Sequence, residues 1–149
     1  MEAGVEKQDF MALMGAALQL QEVDVRTYSP LVLAYIGDAV YELAVRSLVV
    51  NHGSMQVNKM HKKSAGLVKA ETQANLIKVL EEQLTADEHA VYKRGRNAHS
   101  ANVAKHATMI DYRMATGFEA LVGYLYLKGQ YDRLFVLLHE GLKRIGELS

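Results

Sequence analysis

Pro30 is the only proline in the chain, and the segment it opens constrains the fold more than any other. Ser29 before it can cap a helix, and proline suits the first helical position because no amide donor is needed there. From Pro30 to about Asn51 nothing interrupts a helix, and Gly53 is placed to end it. Within that run, Leu31-Val32-Leu33-Ala34-Tyr35-Ile36-Gly37-Asp38-Ala39-Val40-Tyr41-Glu42 is apolar apart from its acids. A long apolar helix has to be packed by other elements. A carboxylate in its core-facing stripe has to be paired, protonated or bound to a cation.

The remaining sequence supplies partners of the same kind. Phe10, Leu13, Met14, Ala17, Leu18 and Val23 give a helix from about Glu6 to Glu22, after frayed residues 1–4. Residues 55–83 read as helix, interrupted at Gly66. Thr85-Ala86-Asp87-Glu88 is a capping box that opens a helix ending near Gly95. Residues 96–108 lack periodicity and read as a loop. Residues 109–127 are helical again, with Gly129 as the stop. Residues 131–147 form a last amphipathic helix through Leu134, Leu137, Leu138, Leu142 and Ile145. No alternating strand pattern, repeat or linker competes. The expectation is a single all-α domain over residues 1–149, with residues 1–25 a helical N-terminal extension.

At 149 residues and 50% apolar, the chain can bury one core and is not a disordered sequence. No run reaches the ~20 apolar residues of a membrane span, and no signal segment opens the chain. Cysteine is absent, so there are no disulfides or thiolate metal sites, and a cytoplasmic location is the natural expectation. Lys+Arg and Asp+Glu each total 17. A neutral total argues against a nucleic-acid binder, but the charges are not evenly spread. Between Glu42 and Glu71 lie Arg46, Lys59, Lys62, Lys63 and Lys69, with His52 and His61. Between Glu88 and Asp111 lie Lys93, Arg94, Arg96 and Lys105, with His89, His99 and His106. The acids gather elsewhere, as in Glu2, Glu6, Asp9, Glu22 and Asp24. A neutral total therefore hides two positive stretches, and local potential is what a phosphate backbone meets.

Glu42 and Arg46 stand four apart in the favourable order, so Glu42 has a surface partner. Asp38 has none at helical spacing. A second acid, Glu119, stands in another apolar run, Gly117 to Leu127. Two helices with one such acid each can bring the acids together, where they repel unless a proton or cation intervenes. Mg²⁺ suits a few carboxylates completed by water. On spacing alone, a capping or inter-helix hydrogen-bonding role is the commoner one for such an acid. None of the six histidines stands at a metal-ligand spacing.

Tyr35-Ile36-Gly37-Asp38-Ala39-Val40 resembles the signature helix of ribonuclease III catalytic domains, and Phe118-Glu119-Ala120-Leu121-Val122-Gly123 resembles the family's second motif. Leu33 to Ala39, His61-Lys62-Lys63-Ser64, Lys93-Arg94-Gly95-Arg96-Asn97-Ala98 and Phe118 to Leu121 together resemble the short Mini-ribonuclease III branch, a catalytic domain with no double-stranded-RNA-binding domain. The matching segments span roughly residues 30–127.

The resemblance implies a ribonuclease III-like helical endonuclease domain that dimerises and cuts double-stranded RNA with Mg²⁺, for which Mn²⁺ can substitute. It places Asp38 and Glu119 as catalytic, metal-binding carboxylates and Tyr35 at the dimer interface. Lys62, Lys63, Lys93, Arg94, Arg96 and Asn97 are the expected RNA contacts, with His61, His99 and His106 nearby. It implies maturation of the large-subunit (23S) ribosomal RNA precursor to 5′-phosphate ends, in the cytoplasm, with a ribosomal protein as a possible helper and neither DNA nor membrane as a partner. Longer family members carry further acids where this chain has Leu31, Ala34 and Thr116. Water and the scissile phosphate would then complete the metal shell. The competing readings are a non-catalytic duplex-RNA-binding or ribosome-associated module on the same fold, and a helical protein-interaction domain. Both carboxylates are present, which favours the enzyme over the first, and the basic stretches oppose the second.

Overall fold

A computed structural model describes residues 9–98 and 108–148 of the chain. Seven α-helices follow one another among the described residues: α1 Phe10–Ala17, α2 Pro30–Asn51, α3 Val57–Val68, α4 Ala70–Leu80, α5 Ala86–Asn97, α6 Met109–Leu127 and α7 Tyr131–Arg144. Single 3₁₀ turns lie at Val25–Thr27 and Glu81–Gln83, and the described residues contain no strand. No described helix is long and apolar enough to cross a membrane.

The start signals act as the sequence implies. The Ser29 hydroxyl accepts from the Val32 amide, with Pro30 opening α2. Thr85 and Glu88 form a reciprocal capping box at the head of α5. Gly53 and Gly129, at φ 111° and 73°, take the left-handed conformations that end α2 and α6.

α6 is the central helix, packed by α2, α4, α5 and α7. Every residue from Ala115 to Leu125 is buried except Glu119, which is half-buried. Around it lie Leu33, Tyr41 and Val45 of α2, Leu76, Ile77 and Leu80 of α4, Val91 and Tyr92 of α5, and Leu134, Leu137 and Leu138 of α7. The Tyr41 and Phe118 rings meet edge to face at 5.2 Å. One ion pair reaches inside: Arg133 of α7 donates to Glu88 at 2.8 Å and to the Gln83 carbonyl.

Four boundaries differ from the sequence reading. α1 covers only Phe10–Ala17, because Gln19 takes φ 55° and the Leu20 amide donates back to the Gly15 carbonyl. This is a helix-ending motif normally flagged by glycine. The rest of the expected extension is a non-helical run and one 3₁₀ turn, and residues 1–8 lie outside the described residues. The break in 55–83 falls at Lys69, whose ψ is 156°, and not at Gly66. The last helix stops at Arg144, ahead of Gly146 at φ 87°.

α5 runs two residues past Gly95, to Asn97. That glycine is buried in the last turn of the helix, where a Cβ would meet Gly117 Cα at 2.9 Å. Arg96 and Asn97, expected at the start of a loop, therefore close a helix, and positions 99–107, with His99, Lys105 and His106, lie outside the described residues.

Candidate active site

Asp38 and Glu119 meet because two helices cross without side chains between them. A Cβ on Gly37 would overlap the Glu119 carbonyl oxygen and lie 2.7 Å from the Gly123 nitrogen. A Cβ on Gly123 would in turn overlap the Leu33 carbonyl oxygen. Glycine at both positions lets the α2 and α6 backbones touch. Asp38 follows Gly37 directly, and Glu119 stands one turn before Gly123, so each acid leaves its helix beside this contact.

The two carboxyl groups lie within hydrogen-bonding reach of one another. Burial pushes the Glu119 carboxyl up to about 8, and the Asp38 charge beside it pushes the same way. The Gln73 amide nitrogen donates to Glu119 Oε2 at 3.2 Å and works against that rise. Asp38 itself is exposed, so the charge enclosed by the fold is that of Glu119. Glu42 pairs with Arg46 at 2.7 Å and stays apart from the acids.

Two carboxylates that hold a proton between them have the chemistry that a hard cation can take over, since the cation neutralises both charges without needing that proton. The donors are oxygens, and among the described residues no imidazole joins them, so the set fits Mg²⁺ or Mn²⁺. Among the described residues no group of three or more acids and histidines converges. Ala34 and Thr116 account for the thin set: Ala34 is buried core and Thr116 donates to the Tyr112 carbonyl.

The expected RNA-contacting residues fall into two regions. Lys62 and Lys63 are exposed on α3 with His61 and Lys59. On α5, Lys93, Arg94 and Asn97 are exposed, while Arg96 lies over the Tyr92 ring at 5.6 Å and donates to Asn97 Oδ1. Because α5 is helical there, Arg94 points to a different face from Arg96: it lines a cavity with Arg26, Asp87 and Lys128. Tyr35 is 82% exposed and shares its face of α2 with Val32, Ala39 and Leu43.

Sequence reasoning passed over Gln73, which is 2% exposed. Its signal was present: Gln73 occupies the apolar stripe of Leu76, Ile77 and Leu80 in α4, as the single amide on a face otherwise built for packing.

A Ribonuclease III domain model matches residues 31–130, which include both acids and every expected contact residue. A Mini-ribonuclease 3 from Clostridium tetani is 48% identical over 112 residues, 74% of this chain and 74% of that protein. One from Enterococcus faecalis is 43% identical over 128 residues, 85% of this chain and 97% of that protein. A crystal structure of a Fusobacterium nucleatum protein superposes with TM-score 0.75 at 27% identity, covering 81% of this chain and 98% of that one. On this family match and these identities, the chain belongs to the ribonuclease III family, in its Mini-ribonuclease 3 branch, and is an endoribonuclease.

Proposed function

We propose that the chain cleaves double-stranded RNA at a site made by Asp38 and Glu119, with Mg²⁺ or Mn²⁺ as the cofactor. The observation that carries this is the meeting of the two acids across the α2–α6 crossing, with the Glu119 carboxyl raised to about 8 by burial and by Asp38. A bound Mg²⁺ supplies a polarised phosphoryl oxygen and an acidified water. Asp38, exposed at the mouth, and Glu119, half-buried behind it, would hold the cation from two different helices. The α2–α6 contact holds the two acids beside one another, and the Gln73 amide donates to one of them.

Duplex RNA is met through phosphates and 2′-hydroxyls, by shape more than by base. Exposed Lys62 and Lys63 on α3, and Lys93, Arg94, Arg96 and Asn97 at the end of α5, are the groups suited to those contacts. Their number is modest and the net charge is zero, which supports weak, salt-sensitive binding. Tyr35 and its apolar face of α2 suit a homodimer interface, and a two-fold pair would address both strands. Hydrolysis releases 5′-phosphate ends on the proposed substrate, the 23S ribosomal RNA precursor, with a ribosomal protein as a helper and the cytoplasm as the location.

The test is incubation of the protein with long duplex RNA, with and without Mg²⁺, against single-stranded RNA and duplex DNA. Cutting of duplex RNA alone, only with the metal, is the expected result. Asp38→Asn should keep the fold and lose cutting, and wild-type turnover in that variant would remove the assignment.

A further inference from the structure

A helix that stops abruptly leaves its last carbonyls without amide partners. At the end of α3, three consecutive carbonyls each accept from a side chain. Gly66 accepts from the Thr72 hydroxyl at 2.6 Å, Leu67 from the Tyr41 hydroxyl at 2.7 Å, and Val68 from the Gln73 amide at 2.7 Å. Thr72 and Gln73 lie at the start of α4, and Tyr41 lies on α2 shortly after Asp38. Of these three side chains only Gln73 also reaches an acid of the site, Glu119.

Chemistry fixes which way the Gln73 amide faces. The Val68 carbonyl can only accept, so the nitrogen with its two hydrogens must face it, and the same nitrogen meets Glu119 Oε2. The amide oxygen Oε1 then takes the other side. It is buried and has no hydrogen-bond partner among the described residues. Packing does not account for such a residue. A leucine at 73 would extend the stripe of Leu76, Ile77 and Leu80 and leave no buried acceptor unmatched. The two donated hydrogen bonds are what glutamine provides there.

We propose that Gln73 is the positioning residue for Glu119, holding its carboxylate toward Asp38 and anchoring it to the α3–α4 corner through the Val68 carbonyl. This rests on Asp38 and Glu119 being the catalytic pair. Gln73 donates one hydrogen to a fixed backbone oxygen and the other to the carboxylate, so the carboxylate's rotamer is set by the corner and not by solvent. The same corner ends the helix that carries Lys59, Lys62 and Lys63, which ties the geometry of the acid to the placement of that basic helix.

The experiment compares Gln73→Met with Thr72→Val in the full chain. Met fills the volume without donating, and Val removes the neighbouring carbonyl clamp without touching Glu119. Mn²⁺ binding to the RNA-free protein is read by paramagnetic resonance, and steady-state cleavage is read on long duplex RNA. Gln73→Met should weaken Mn²⁺ binding by about 10–100-fold and lower kcat by a similar factor at unchanged KM. Thr72→Val should lower the melting temperature and leave both at the wild-type level. Wild-type Mn²⁺ affinity in Gln73→Met overturns the proposal. So does a Thr72→Val variant that loses as much as Gln73→Met, because corner stiffness would then be the cause. If the methionine variant fails to fold, Gln73→Asn, with its amide one methylene short of Glu119, carries the same expectation. Should the wild type fail to cut duplex RNA, the endonuclease site reading falls, and Mn²⁺ affinity alone still decides the role of Gln73.

Discussion

Gly37→Ala is the sharpest test of how the fold makes the site. The added Cβ would lie 2.8 Å from the Glu119 carbonyl carbon and 2.7 Å from the Gly123 nitrogen, and would overlap the Glu119 oxygen. Carbon atoms pack at ~3.5–4.0 Å, so α2 and α6 must part by at least about 0.7 Å on the carbon contact alone. Every obstructing atom is backbone of the central helix and cannot rotate away. Overpacking of this kind costs about 1–3 kcal/mol, and here the upper end applies. The separation also moves Asp38 relative to Glu119, and a misplacement near 1 Å reduces turnover by roughly 10²-fold. Gly66→Ala is the matched control. Nothing lies within 4 Å of its added Cβ, and alanine in a helix should stabilise by about 0.5–1 kcal/mol. Denaturant unfolding and kcat on duplex RNA measure both. A Gly37→Ala protein as stable and as active as the wild type would refute the argument that this contact sets the carboxylate pair.

Glu88 gives a pH-dependent prediction. Burial pushes its carboxyl up, but hydrogen bonds from Arg133 and the Thr85 amide outweigh this and hold it below its ordinary value of 4.5. Its contribution to stability is therefore complete above pH 4.5 and lost as pH falls through the lowered value. Glu88→Gln should cost roughly 2 kcal/mol at neutral pH, below the ~3–5 of a fully enclosed pair because Arg133 is a third exposed. Thermal melts from pH 6 to 3 should show a shallower acid limb for the variant, and parallel curves would count against the ion pair. Arg94 and Arg96 stand about 200° apart on α5, so one face should dominate RNA contact. The alanine variant on that face should reduce the log–log salt slope of binding by about 1, and the other should reduce it by less. Equal slopes in both variants and the wild type would take the end of α5 out of the interface.

The helices were legible wherever local chemistry announces them. Ser29-Pro30, the Thr85 box, and the stops at Gly53 and Gly129 are decided within a few residues, and the structure follows each one. Tertiary contacts decided the rest. Nothing near Lys69 marks a break, because the break is stabilised by hydroxyl and amide groups of Tyr41, Thr72 and Gln73. Gly66 and Gly95 looked like punctuation, but one is tolerated inside a helix and the other is there for close packing against α6. The two acids could be picked out as odd charges in apolar runs, yet only the crossing at Gly37 and Gly123 brings them together. Which of the two is enclosed was also beyond the pattern: both runs are apolar, and only the packing exposes Asp38 while half-burying Glu119.

The α2–α6 crossing also orders events during synthesis. Asp38 and its helix leave the ribosome well before Glu119 is made, and at ~5–20 residues per second the intervening segment takes several seconds to translate. Throughout that interval the nascent chain holds one acid of the proposed site and lacks the second. On the proposed reading of the site, the acid pair therefore cannot form until the central helix has been made and has folded against α2. The delay comes from the topology of the fold.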